Sequence, residues 1–124
     1  MLPTKAERAK RREASLKAHA ARIKRQYGIS GEEYWRLYEF QGGKCALCRR
    51  ATGASKRLAV DHDHNETCSS VHIPTAGCPD CVRGLLCAPC NRLLGHIRDD
   101  PSRLVEYLQH PPFQLLRKTQ HDDH

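Results

Sequence analysis

Apolar residues in this chain fall into short clusters separated by glycine, proline and cysteine. Their spacing changes from helical to strand-like and back. Residues 4–26 hold good helix formers with no Gly or Pro after Pro3, which predicts a helix. Its apolar positions are mostly Ala, too small to anchor it firmly in a core. Tyr27-Gly28-Ile29 then breaks the pattern. Ser30 reads as an N-cap with Glu33 three residues on, a capping box. The helix it opens puts Tyr34, Leu37 and Tyr38 on one face with Trp35 nearby, and stops at Gly42-Gly43.

Beyond the glycines the pattern shortens. Cys45-Ala-Leu-Cys48 is followed by a polar loop over 49–57, and Leu58-Ala-Val60 is a strand candidate running into Asp61-His62-Asp63-His64. Residues 65–81 read as irregular because Pro74, Gly77 and Pro79 interrupt any regular element. Val82 to Leu86 returns as a second strand, interrupted by Gly84, and Cys87-Ala-Pro-Cys90 leads into a helix from about Asn91. Asp100-Pro101-Ser102 opens a last helix with Leu104, Val105 and Leu108 at helical spacing and Pro111-Pro112 as its stop; the final dozen residues read as a loose tail. The resulting division is a basic arm over 1–26, a domain over 27–110 with 65–81 as an insertion, and a tail over 111–124.

Composition sharpens this reading. Of 124 residues only seven are aromatic and 39% are hydrophobic, so the core is thin and a metal or covalent staple would help it. No apolar run approaches the roughly 18 residues a membrane span requires, and no signal-peptide pattern opens the chain. The expected setting is therefore a reducing cytoplasm, where paired cysteines hold metal more often than they form disulfides. Charge is placed unevenly. Residues 1–27 carry nine Lys and Arg against two Glu, an excess equal to the whole net charge of +7. A basic arm on a neutral domain points to a polyanion, most simply DNA, with Arg8, Lys10, Arg11, Arg12, Arg22, Lys24 and Arg25 as contacts. The alternative is a solvated helix that only aids solubility.

Cys45/Cys48 and Cys87/Cys90 are two Cys-x-x-Cys knuckles, and a two-residue spacer lets both sulfurs of a knuckle turn onto one Zn²⁺ about 2.3 Å away. Together they complete a closed four-thiolate site. Cys68, His72, Cys78 and Cys81 would supply a second tetrahedral zinc; free thiols, or exchange of Cys78/Cys81 into the first site, are the competing readings. Asp61-His62-Asp63-His64 is hard to explain as packing. A carboxylate can hold a hard divalent cation, and an imidazole can take a proton from water near neutral pH. Asn91, directly after the last zinc cysteine, is the candidate for a further ligand of that cation. Strict strand alternation would point Asp61 and His62 to opposite faces, so the strand is expected to end or bulge between them. Arg83 and Arg92 read either as phosphate ligands or as partners of the aspartates, and His96 as a surface histidine.

The first knuckle, Leu58-Ala-Val-Asp-His-Asp-His64 and Val82-Arg-Gly-Leu-Leu-Cys-Ala-Pro-Cys-Asn-Arg-Leu-Leu-Gly95 resemble the phage recombination endonuclease VII family, within the HNH or His-Me finger nucleases. The likeness runs from about Tyr27 to Leu108. It implies a small α+β fold, a zinc-stapled ββα-metal (HNH) finger flanked by helices. It also implies Cys45, Cys48, Cys87 and Cys90 on structural zinc, Asp61 and Asn91 on a catalytic Mg²⁺ or Mn²⁺, His62 as general base, and His64 steadying the site or contacting phosphate. The implied activity is hydrolysis of DNA phosphodiesters, in branched (Holliday-junction) or duplex DNA. DNA is the expected partner, no membrane is expected, and homodimerisation is left open. The family's best-known member carries an acidic residue three positions after the asparagine, where this chain has Leu94. A zinc-ribbon nucleic-acid-binding module without catalysis is the rival reading.

Overall fold

Among the described residues, helices and one antiparallel strand pair are built around few apolar side chains. The computed structural model describes residues 1–63 and 78–122, the last three of these as backbone. The elements are α1 (Lys5–Tyr27), α2 (Gly31–Phe40), β1 (Ala59–His62), β2 (Val82–Leu86), α3 (Ala88–His96), α4 (Ser102–Gln109) and α5 (Pro112–Asp122), with a 3-10 turn at Pro79–Cys81 just before β2. They fall into two units, Met1–Ala88 and Pro89–His124.

In the first unit, Thr4 caps α1 by accepting from the Glu7 N–H at 3.1 Å. Gly28 ends it in the left-handed region (φ 78°), donating its N–H to Lys24 O. A Cβ on Gly28 would also stand 2.8 Å from Pro79 Cδ, so two requirements meet at this glycine. α1 is better anchored than its alanines suggest: His19 and Ile23 are buried. Ser30 and Glu33 form the expected capping box of α2. β1 and β2 pair antiparallel with Ala59 opposite Leu86, Val60 opposite Leu85, Asp61 opposite Gly84 and His62 opposite Val82.

The core lies where α1, α2 and this hairpin meet: Ile23, Ile29, Tyr34, Leu58, Val60, Leu85 and Leu86 are all buried. Tyr34 is fully enclosed, donates its hydroxyl to Leu58 O at 2.6 Å, and burial pushes its phenol up to about 12. Buried Gln41 covers the outer edge of β2, accepting from Leu85 N–H at 2.8 Å while Nε2 donates to Leu85 O at 3.0 Å and Lys44 O at 2.9 Å.

In the second unit two expectations change. α3 begins at Ala88, three residues before the expected start at Asn91, because Pro89 is tolerated in a first helical turn. The expected tail is helical from Pro112 to Asp122. Pro111-Pro112 does follow the end of α4, but Pro112 has the fixed φ that suits a first helical position, so it opens α5 as well.

Candidate active site and metal centre

The first Cys-x-x-Cys knuckle turns because Arg49 adopts a left-handed conformation (φ 60°) and donates its N–H to Cys45 O at 3.0 Å. Cys45 N–H bonds Ala51 O, and Ala46 N–H bonds Leu85 O at 3.1 Å, which ties the knuckle to β2. The Sγ atoms of Cys45, Cys48, Cys87 and Cys90 all lie within 4.8 Å of one another, with Cys48 and Cys87 3.9 Å apart. A tetrahedron with Zn–S bonds of about 2.3 Å has edges of about 3.8 Å. The four-cysteine cluster therefore suits structural zinc.

The surroundings favour thiolates. Backbone N–H groups of Ala51 and Arg50 pull the Cys48 thiol down to about 6. At Cys45 burial pushes upward, but bonds from the Cys87, Cys48 and Leu47 backbone and the Cys87 thiol outweigh it, and the net direction is down. Cys78 and Cys81 also face each other, Sγ to Sγ at 3.3 Å and both buried, across the 3-10 turn. Cys68 and His72 lie outside the described residues.

The strand carrying the acid–imidazole pair is irregular at the expected point. Register shifts between Asp61 and His62, so the two side chains escape strict alternation. Asp61 is 5% exposed and held by a fork from Arg83, Nε to Oδ2 at 2.8 Å and Nη2 to Oδ1 at 3.1 Å. Of the two readings of Arg83, pairing with an aspartate is the one realised. His62 is half-buried, with the Tyr27 ring centroid 5.8 Å from its own. Asp63 donates its N–H to Cys81 O at 2.6 Å, joining the strand to the Cys78/Cys81 turn. His64 lies outside the described residues. Asn91 is half-buried in the first turn of α3; Arg92 and His96, farther along the same helix, are exposed.

The donor chemistry of Asp61 and Asn91, a carboxylate and an amide oxygen, matches a hard divalent cation. Both Asp61 oxygens are engaged by Arg83, so that guanidinium must share or yield them for an ion to bind. Its side chain is 34% exposed and has room to turn outward.

Two residues that support the site carry no sequence signal of their own. Gln41 precedes the glycine pair and looks like linker, and Tyr27 looks like a helix end. Arg8, Lys10, Arg11, Arg12, Arg22, Lys24 and Arg25 are exposed along α1, as expected of a polyanion-facing helix. Among the described residues no helix is long and apolar enough to cross a membrane.

The family described as Recombination endonuclease VII matches residues 20–110. The chain is 48% identical over 95 residues to the Gene 59 protein of Mycobacterium phage L5, and 47% identical over 95 residues to that of Mycobacterium phage D29. Each match covers 73% of this chain and 50% of the relative, so the chain spans about half the length of those proteins.

Proposed function

The chain belongs to the recombination endonuclease VII family, and from that premise we propose that it is a DNA endonuclease of the HNH (ββα-metal) type that hydrolyses phosphodiester bonds. The observation that carries the reading is the register shift at Asp61/His62. It frees a buried carboxylate and a half-buried imidazole from opposite faces of one strand, in a hairpin followed directly by the helix bearing Asn91.

In this reading Asp61 and Asn91 hold Mg²⁺ or Mn²⁺, which when bound supplies charge stabilisation for the phosphoryl group and the leaving 3′ oxygen. An imidazole nitrogen of His62 accepts a proton from water as the water oxygen bonds to phosphorus and the bond to the 3′ oxygen breaks. The products carry 5′-phosphate and 3′-hydroxyl ends. Tyr27 restricts the His62 ring on one side, and His64 steadies the site or contacts phosphate. Leu94 supplies no carboxylate, so the ion relies on Asp61 and Asn91. The zinc knuckles have no part in the chemistry; the first of them fixes β2 through the Ala46 N–H to Leu85 O bond.

The Arg83 fork favours a second reading, a zinc-bound nucleic-acid-binding module in which Asp61 is structural. Supercoiled plasmid separates the two. With Mg²⁺ or Mn²⁺ the native chain is expected to nick it, and His62→Ala to lose at least about a hundredfold in rate, the usual worth of a general base. DNA binding without cleavage by either protein would establish the module instead. A four-way junction set against linear duplex then reads out whether branched DNA is preferred.

A further inference from the structure

A second basic feature lies on the first unit, beyond the strand that carries Asp61 and His62. The loop before β1 folds back over the middle of α1 and leaves an open groove of about 710 Å³. Arg12 and Arg22 line it from α1, Lys56 and Arg57 from the loop, and Trp35 from α2; no acidic side chain lines it. Four cations face one concavity without a carboxylate among them, and so much uncompensated charge in one place calls for an anion.

The groove is built rather than incidental. Arg57 Nη2 donates to Ser15 Oγ at 3.0 Å, fastening the loop to α1. Tyr38 fastens the same loop to α2 through Thr52 O at 2.6 Å. Gly53 turns it at φ +75°, where an added Cβ would crowd Leu58 N at 3.1 Å. Behind the groove, buried His19 packs edge-on against Tyr34 at 4.6 Å, and its Nδ1 finds no hydrogen-bond partner among the described residues. Burial first, then Arg57 and Arg22, hold its pKa below the usual value, so the ring stays neutral and adds no further cation near neutral pH.

We propose that this groove binds the phosphodiester backbone of the DNA that flanks the cut, with Arg12, Arg22, Lys56 and Arg57 on phosphates and Trp35 beside the strand. The inference rests on the nuclease reading for the identity of the ligand, since DNA is the polyanion that family brings to this chain. α1 sets the spacing. At 1.5 Å per residue Arg22 is about 7.5 Å, and Arg12 about 22 Å, along the helix from Tyr27. Tyr27 is the ring against His62. At about 3.4 Å per nucleotide, the bound phosphates lie some two to seven nucleotides from the one His62 faces.

Trp35 is the sole tryptophan and lines the groove, so its emission reports on binding there, and the paired variants assign the change to the groove. In buffer without added divalent cations, a short duplex oligonucleotide is expected to change that emission saturably. Lys56→Ala/Arg57→Ala is expected to flatten the dependence of log K on log salt by about two, close to one per lost contact. Arg12→Ala/Lys56→Ala, which leaves the Arg57–Ser15 bond intact, should do the same if the loss is of phosphate contacts and not of loop structure. Orthophosphate alone, at matched ionic strength, should leave the emission unchanged. DNA that binds with Trp35 unperturbed and the salt slope intact in both variants would overturn the groove, as would saturation by orthophosphate. His62→Ala keeps the groove response whether or not the native chain cuts plasmid, so failure of the nuclease reading appears separately, as a bound but uncut duplex.

Discussion

Leu85 is fully buried, and the side-chain amide of Gln41 pairs both its N–H and its C=O. Among the described residues an amide thus takes the place of a further strand along this edge of β2. Gln41→Leu keeps the volume, strands Leu85 N–H and Lys44 O, and leaves Leu85 O with the Ala46 N–H alone. Each buried group so stranded costs about 1–3 kcal/mol, so a loss of about 2–4 kcal/mol is expected in zinc-replete denaturant unfolding, with zinc content unchanged. A loss below about 1 kcal/mol would mean that water replaces the amide. Nothing in the pattern of apolar positions announces this role, because a glutamine before two glycines reads as linker. The irregularity between Asp61 and His62 was legible for the opposite reason: four titratable side chains in a row have no packing explanation, and bringing the first two together demanded a break in strand alternation. The fork from Arg83 was legible only as one of two options, since its choice depends on Asp61 being buried.

At the level of elements, the hairpin and the knuckles depend on each other. β2 runs straight into Cys87, and the first knuckle bonds to Leu85 O through Ala46 N–H, so whatever fixes the thiols also fixes the strand. β2 was readable to the residue, and β1 and α2 nearly so, because glycine and cysteine punctuate them. α3 and α5 were misjudged at prolines, which end one helix and begin another with the same fixed φ. The Cys78 and Cys81 Sγ atoms lie 3.3 Å apart, close enough for both to turn onto one ion. With Cys68 and His72 as its further ligands, metal analysis of the purified chain is expected to give two zinc ions. Cys78→Ser should retain one zinc and the hairpin. Cys87→Ser should lose helical signal and cooperative unfolding, because the staple at the core itself is gone. One zinc in the native chain, unchanged in Cys78→Ser, would show that the second pair is not a ligand set.

For the whole molecule the two units present different surfaces. The first concentrates positive charge along α1 and in the groove beside it. The second exposes apolar side chains: Tyr107 at 61%, Leu108 at 66% and Phe113 at 65%, with Leu104, Val105, Leu115 and Leu116 also exposed. Soluble monomers rarely leave this many large apolar groups uncovered within so short a stretch. A second copy of the chain is the simplest cover, because a two-fold interface lets one patch bury its own equivalent. Such a dimer would carry two copies of the Asp61/His62 strand, as cutting both strands of a duplex or two arms of a junction requires. Sedimentation equilibrium is therefore expected to show a concentration-dependent dimer, and Leu108→Glu/Phe113→Glu a monomer whose zinc content is unchanged. In plasmid cleavage the monomeric variant should accumulate nicked circles and convert few of them to linear product, because single nicks need one active site and paired cuts need two. A native chain that is monomeric throughout the concentration range, yet linearises plasmid without a nicked intermediate, would rule out this division of labour between the charged and the apolar unit.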